Sequence, residues 1–330
     1  MLHPASIAVL VLASCLLRSA AHAQWTNAAR SIDELRAQIG AHVTDPRFNA
    51  ALWGVKIVSL DTGKTVFEHH ADRLMSPASN SKMFVGALAL DRFGGDCRIV
   101  TPVLASAKPD GNGVLNGDVI VVGVGDPSWK LRNGATNFYE LFDPFIAVLT
   151  NAGVRRVTGD IVADATFFKG PPSGGSWNVD DLENSEGAEI SAVTMLDNMT
   201  ALRVLPGADV GQPCELALRH PHTGLMLDNR TTTITNGGPR YISVRRVFGE
   251  NRLCVFGALP VGGTNEIVDV PVPRPAEWFA AGLREALVRH GIRVEGKARS
   301  VRWPESAVPG ANCVQQIGRA SCRERVCLAV

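Results

Sequence analysis

The spacing of hydrophobic and polar positions divides the chain into segments of helical and of strand character. Residues 53–60 have the composition of a strand, residues 61–63 predict a turn, and residues 65–68 predict a second strand. An apolar stretch with helical spacing follows over residues 83–95 and ends in a pair of glycines. The pattern therefore predicts a β-hairpin, a connecting loop and a helix, in that order.

The rest of the chain contains further helices and many short strands. A capped helix is predicted over residues 31–42. Residues 98–272 show short strands separated by Gly, Pro, Asn and Asp turns, with one helix around residues 139–150. Residues 277–290 predict an amphipathic helix that ends at Gly291. No internal repeat stands out from this pattern.

Composition and charge narrow the classes of function. At 330 residues and 45% hydrophobic content, the chain can bury a sizeable core and form more than one domain. A net charge of +1 without a basic patch argues against a nucleic-acid partner. The sequence has no Cys-x-x-Cys or His-x-x-x-His cluster, so no metal site is expected. Cys214 and Cys254 lie in predicted strands of one region, where an oxidising compartment would allow a bridge.

The N-terminus has the pattern of an export signal. Residues 7–13 form an apolar run, and Ala21-His22-Ala23 matches a cleavage site, so a signal peptide is predicted over residues 1–23. Leu12-Ala13-Ser14-Cys15 also resembles a lipoprotein box, which would place a lipid on Cys15. Cleavage after Ala23 is favoured because the apolar and small-residue stretch continues to that point. Both alternatives predict a protein of the periplasm or cell envelope, with at most peripheral or lipid-mediated membrane contact.

The strongest chemical signal is Ser79 followed by Lys82 at the head of the apolar helix. A serine hydroxyl is a weak nucleophile at neutral pH, and a lysine three residues later lies on the same helical face as a base. The same four residues could be an ordinary helix start with an exposed lysine. However, Lys82 is the only one of seven lysines that has a serine three residues before it. The pattern predicts an acyl-transfer nucleophile.

The segment around this pair resembles the nucleophile box of the D-alanyl-D-alanine carboxypeptidases of the penicillin-binding protein 4 type, peptidase family S13. That box covers residues 77–82, and further matches to the family follow in order along the chain. These matches are Leu115–Pro127 with its Gly-Asp-Pro, Val157–Phe168 with its Gly-Asp-Ile and Asp164, residues 197–207 with their Pro-Gly end, and residues 273–296. The resemblance extends from about residue 30 to about residue 305.

This resemblance implies an α+β fold, with a penicillin-recognising domain of the β-lactamase/transpeptidase type, here incomplete, and a large β-rich insertion. The implied organisation is a signal peptide over residues 1–23, the N-terminal part of the catalytic domain over residues 24–97, the inserted domain or domains over residues 98–300, and the start of a return to the catalytic domain over residues 301–312. Residues 313–330 match nothing in the family and lack apolar periodicity, so they are expected to be a non-native tail outside the fold.

The resemblance also implies a chemistry. Ser79 would attack a D-Ala-D-Ala peptide bond of a peptidoglycan stem peptide, with Lys82 as its base, and β-lactams would acylate the same serine. Asp164 is a tentative substrate contact, because the family's insertion leans over the active site. No cofactor is implied.

The C-terminal part of the chain departs from the family pattern. Neither a Ser-x-Asn box nor a Lys-Thr-Gly strand follows Trp303, and no lysine follows Lys297. Ser176-Trp177-Asn178 and His222-Thr223-Gly224 are rival candidates, but the neighbouring Gly and Pro predict loops there. We therefore expect an N-terminal fragment with little or no activity. A serine β-lactamase and a non-catalytic envelope-binding protein remain alternative functions.

Overall fold

The computed structural model describes residues 28–131, 137–305 and 315–321. The chain divides into two compact units, residues 1–86 and residues 87–330. The predicted signal peptide and Cys15 lie outside the described residues. No helix in the described part of the chain is long and apolar enough to cross a membrane.

The first unit contains the predicted helix and hairpin. Helix α1 spans Ile32–Val43, and the Ser31 hydroxyl caps it by accepting a hydrogen bond from the Glu34 N–H at 3.1 Å. Strands β1 (Val55–Val58) and β2 (Thr65–His69) pair antiparallel. Both elements confirm the prediction from the hydrophobic pattern.

Helix α2 spans Ser81–Phe93 and follows a 3₁₀ turn over Ala78–Asn80. Its sequence is mainly apolar, but most of its large apolar side chains are exposed. These side chains are Met83, Phe84, Val85, Leu88, Leu90 and Phe93. The helix therefore presents an apolar surface that the described residues do not cover.

The second unit is richer in strands. In chain order its strands are β3 (Val100–Ala105), β4 (Val114–Leu115), β5 (Val119–Val122), β6 (Arg156–Val157), β7 (Ile161–Ala165), β8 (Met199–Leu205), β9 (Glu215–Leu218), β10 (Met226–Ile234), β11 (Tyr241–Arg246), β12 (Arg252–Pro260), β13 (Glu266–Pro271), β14 (Arg293–Val294), β15 (Ala298–Arg302) and β16 (Gln315–Ser321). They form four sheets, with the orders β15-β7-β5-β3-β16, β14-β6-β4, β13-β8-β9 and β10-β12-β11.

Two of these sheets are joined by three equivalent glycine links. Each link is a three-residue segment with glycine in the middle. It connects a two-residue strand (β4, β6 or β14) to a longer strand (β5, β7 or β15). Gly117, Gly159 and Gly296 are the three glycines, and the strands on both sides of them pair parallel in the same register. A Cβ on Gly296 would collide with the carbonyl of Gly159, so the close approach of the links requires glycine.

A charged network holds the same three links together. Arg299 pairs with Asp118 at 3.0 Å and with Asp160 at 2.9 Å. The Asp160 carboxylate also accepts the Lys297 N–H at 2.8 Å, and the Asp118 carboxylate accepts the Asp160 N–H at 2.7 Å. Hydrogen bonds from the Lys297 N–H and the Arg299 guanidinium hold the pKa of the Asp160 carboxyl below its usual value.

Helices α3 (Asp143–Asn151) and α4 (Pro275–Arg289) contribute to the main core of this unit. The predicted helix around residues 139–150 begins as a 3₁₀ segment over Phe138–Phe142 before α3. Helix α4 confirms the predicted amphipathic helix, with Pro275 in its first turn. The largest buried side chains at this core are Phe142, Phe145, Trp278 and Phe279.

A second core lies between the sheets of β8–β13 and includes Cys214. The thiols of Cys214 and Cys254 are both free. The Cys214 thiol donates to the Thr232 carbonyl, and the Cys254 thiol donates to the Asp228 carboxylate. The two cysteines that the sequence suggested as a bridge therefore have separate polar partners.

Strand β16 lies within residues 313–330, which the sequence predicts to be a non-native tail. Residues Gln315–Ser321 pair antiparallel with β3 along the edge of the five-stranded sheet. Backbone N–H and C=O groups make this pairing, so it does not need an alternating side-chain pattern. The remainder of the predicted tail, residues 322–330, lies outside the described residues.

Candidate active site

The loop before α2 presents Ser79 in a tight turn. Ala78 has a φ of +44°, in the left-handed region, which is costly for a residue with a Cβ. Two local hydrogen bonds hold this turn. The Asn80 N–H donates to the Pro77 carbonyl at 2.9 Å, and the Ser81 hydroxyl donates to the Ala78 carbonyl at 2.8 Å. Ser79 thus sits in a fixed one-turn segment at the start of the helix.

The structure brings Ser79 and Lys82 into direct contact. The Lys82 Nζ donates a hydrogen bond to the Ser79 Oγ at 2.8 Å. The spacing of three residues places both side chains on one face of the turn, and both are exposed. Acyl transfer requires a nucleophile and a base within roughly 2.6–3.2 Å of each other, and this pair meets that requirement.

The position at the head of a helix adds a second element. The first N–H groups of a helix have no partner within the helix, and the helix dipole makes this end electropositive. A developing oxyanion or a substrate carboxylate close to Ser79 would therefore be stabilised.

Asp164 lies in the second unit, on the interior strand β7 of the five-stranded sheet. Its neighbours across the sheet are Val122 on β5 and Val301 on β15. The residue is only 5% exposed, and its carboxylate accepts a hydrogen bond from the Thr166 N–H at 2.9 Å. The described contacts of Asp164 are therefore local, and its role toward a substrate stays a prediction.

The rival triplets lie in irregular segments. Ser176-Trp177-Asn178 precedes a 3₁₀ turn over Val179–Glu183. His222 has a φ of +61°, and its Nε2 lies 3.3 Å from the Tyr139 hydroxyl. The loops predicted from the neighbouring Gly and Pro residues are therefore present.

A cleft of about 690 Å³ in the second unit was missed from the sequence. Residues 165–192 form one part of its lining, and residues 274–277 and 300–305 form the other. These segments are more than 80 positions apart in the sequence, so no local pattern could indicate that they meet. Trp303, which follows β15 directly, contributes an exposed indole to this lining.

Comparison with known proteins gives consistent matches. The model of the D-Ala-D-Ala carboxypeptidase 3 (S13) family matches residues 35–313. A D-alanyl-D-alanine carboxypeptidase from an Actinomadura species is 31% identical over 271 residues, which are 80% of this chain and 48% of the relative. The chain thus spans about half the length of this relative.

Solved structures show the same fold. The crystal structure of penicillin binding protein 4 (DacB) from Haemophilus influenzae superposes with a TM-score of 0.65 at 20% identity, covering 81% of this chain and 56% of that chain. The same protein complexed with a β-lactam gives a TM-score of 0.59 at 19% identity, over 81% and 54% of the two chains. These matches confirm the predicted fold class. Because the family match covers most of its residues, the chain belongs to the D-Ala-D-Ala carboxypeptidase 3 (S13) family.

Proposed function

We propose that the chain carries the nucleophile of a serine-type D-Ala-D-Ala carboxypeptidase or endopeptidase that acts on peptidoglycan stem peptides and binds penicillin. The observation that supports this function most directly is the 2.8 Å contact between Lys82 Nζ and Ser79 Oγ at the head of α2. Membership of the S13 family supports the substrate class.

The proposed reaction begins with Ser79. Its Oγ attacks the carbonyl carbon of the penultimate D-Ala, and its proton passes to the Nζ of Lys82. The tetrahedral intermediate collapses, the terminal amine takes a proton and leaves, and an ester remains on Ser79. Water then hydrolyses this ester and restores the hydroxyl. A carboxypeptidase releases D-Ala in this way, and an endopeptidase releases the amine of a cross-link.

Lys82 can serve as the base only as a neutral amine, which accepts the serine proton. Desolvation favours the neutral form of a lysine, and a substrate that covers the exposed Lys82 side chain would provide that desolvation. The backbone N–H of Ser79 is the proposed first oxyanion donor. Asp164 stays a proposed substrate contact.

The same proposal covers partners and location. β-Lactams would acylate Ser79 because their ring presents an amide carbonyl and a carboxylate as the peptide terminus does. We propose that the protein works in the periplasm or cell envelope, where peptidoglycan is found. The export signal predicted over residues 1–23 supports this location.

Mass spectrometry after long incubation with benzylpenicillin tests the proposal. We expect a covalent adduct on the peptide that contains Ser79, absent from Ser79→Ala and retained by the nearby, exposed Ser76→Ala. An adduct at another residue, or no adduct in the unaltered chain, would refute the assignment. A rapidly hydrolysed adduct would indicate a β-lactamase instead.

A further inference from the structure

Two neighbouring clefts of the second unit form one groove. The larger has about 690 Å³ and the smaller about 300 Å³, and Pro172, Ser173 and Glu189 line both. Trp303 lines the larger cleft and Trp177 the smaller one, so we call the combined feature the tryptophan groove. The larger cleft alone lies within the range of about 300–1,000 Å³ that is typical of ligand sites.

Aromatic side chains line both clefts of the tryptophan groove. The Trp303 side chain is 44% exposed, and Phe248, beside Trp177 in the smaller cleft, is 81% exposed. The indole ring of Trp177 lies directly against Gly174, where a Cβ would collide with it. Exposed flat rings offer apolar surface to a ligand with a flat apolar face.

One charged residue of the larger cleft, Arg274, is held by local contacts. The Arg274 backbone is in the left-handed region, with a φ of +49°, and its N–H donates to the Glu189 carboxylate at 3.0 Å. The Arg274 guanidinium pairs with Glu277 at 3.0 Å. Strained residues persist where the surrounding contacts hold them, and this is common at ligand-binding positions. Arg274 is therefore positioned before any ligand arrives, which lowers the entropic cost of binding.

The larger cleft is lined by equal numbers of basic and acidic residues. Its basic residues are Lys169, Arg274 and Arg302, and its acidic residues are Glu189, Glu277 and Glu305. The side chains of Lys169 and Arg302 make no hydrogen bond or ion pair within the described part of the chain, so their donors are free for a ligand. A balanced site does not attract a polyanion, and it suits an uncharged ligand that is rich in hydroxyl and amide groups.

From these features we infer that the tryptophan groove binds a chain of N-acetylated amino sugars. Each sugar ring has an apolar face that can stack on an indole ring, while its hydroxyl and acetamido groups can bond to free arginine and lysine donors. The groove would thus hold the glycan strand of the substrate. This inference rests on the proposed function, because a peptidoglycan peptidase meets such strands beside every stem peptide.

Isothermal titration calorimetry of the full chain tests the inference. The probe is a soluble oligosaccharide of N-acetylglucosamine, which is uncharged, because peptide-free N-acetylmuramic acid would carry a free carboxylate. We expect saturable binding, weakened about ten-fold or more in Trp303→Ala, because one buried aromatic anchor often carries that much affinity. Tyr241→Ala is the matched control, because Tyr241 is exposed on β11 and does not line either cleft. It should bind within two-fold of the unaltered chain.

Each outcome decides the inference. It is overturned if the glycan does not bind, if only a free stem peptide binds, or if Trp303→Ala binds as well as Tyr241→Ala. Arg302→Ala provides the same comparison should circular dichroism show that Trp303→Ala does not fold. Ser79→Ala should lose the penicillin adduct and keep glycan binding. Glycan binding without any adduct in the unaltered chain therefore refutes only the proposed function, and an adduct without glycan binding refutes only this inference.

Discussion

At the scale of single residues, the 2.8 Å contact between Ser79 and Lys82 is informative because one distance serves two arrangements of the proton. A charged amine donates to the serine oxygen, whereas catalysis requires a neutral amine that accepts the serine proton. The two arrangements share one geometry and differ by one proton. A lysine side chain supports both, but an arginine cannot lose its proton under ordinary conditions.

The first prediction concerns this difference. Lys82→Ala should lower the rate of penicillin acylation by about 10²–10⁴, the usual contribution of a general base. Lys82→Arg should lose as much, since it keeps the positive charge but cannot accept a proton. Intact-mass spectrometry over time measures both rates, with Lys64→Ala as the control. Near-normal acylation in Lys82→Arg would mean that Lys82 acts only through its charge.

A second residue-scale prediction concerns His220 in the second unit. Its imidazole packs against Phe138 and Trp278, and its Nδ1 lies 3.0 Å from the Thr200 hydroxyl. Burial, with a smaller contribution from Arg219, lowers the pKa of His220 to about 4. Between about pH 6.5 and 4, the imidazole of His220 is therefore protonated in the unfolded chain and neutral in the folded chain.

The free energy of unfolding should consequently fall as the pH drops from about 6.5 to 4, and it should gain nothing from this histidine above pH 6.5. Urea denaturation at several pH values measures this dependence. In His220→Gln the fall over that interval should be smaller, whereas the exposed His222→Gln should follow the unaltered chain. Equal slopes in all three proteins would show that His220 is protonated in the fold.

At the scale of elements, the three glycine links are the main feature that the sequence analysis missed. The first two links share Gly-Asp followed by apolar residues, whereas the third has Gly296-Lys297. Lys297 donates its backbone N–H to Asp160, so this contact does not depend on the side chain at position 297. The sequence of the third link therefore differs from the sequences of the first two. The three links share the same parallel strand pairing and register, although their side chains differ.

The third prediction tests these links. Gly159→Ala should lower the free energy of unfolding by about 2 kcal/mol or more, because its Cβ would meet the Asp118 carboxylate and the Gly117 backbone. Gly95→Ala is the control, since no atom lies within 4 Å of its added Cβ, and it should change stability by less than about 0.5 kcal/mol. Chemical denaturation compares the two. Equal free energies of unfolding in Gly159→Ala and Gly95→Ala would show that the close approach of the links does not require glycine at position 159.

At the scale of the whole molecule, local patterns and long-range contacts contributed differently to prediction. The β1–β2 hairpin, helix α4 and the pairing of Ser79 with Lys82 follow from short-range spacing, and the sequence predicted each of them. Strand β16 and the tryptophan groove depend on residues that are distant in the chain. Backbone pairing and tertiary contact create these features, and neither leaves a periodic signal.

The fourth prediction concerns the apolar surface of α2, where Phe84 is 76% and Leu88 is 57% exposed. Contiguous exposed apolar side chains favour association. The chain should self-associate as its concentration rises, and Phe84→Gln with Leu88→Gln should reduce this association in light scattering. Ile267→Gln, a single exposed position on β13, should not. Association that persists in the double variant would show that another surface mediates it.

The three glycine links also constrain how this unit can change by insertion or deletion. Side chains alternate between the two faces of a strand, so one extra residue within a link would turn over every residue of the strand that follows. All five residues of β7 are buried, so this would turn Asp164 into the main core and remove Val162 from its packing with Ile120, while the parallel neighbours of β7 kept their orientation. Length variation is therefore tolerable in the loops that lead to the links, but each link must keep its residue count.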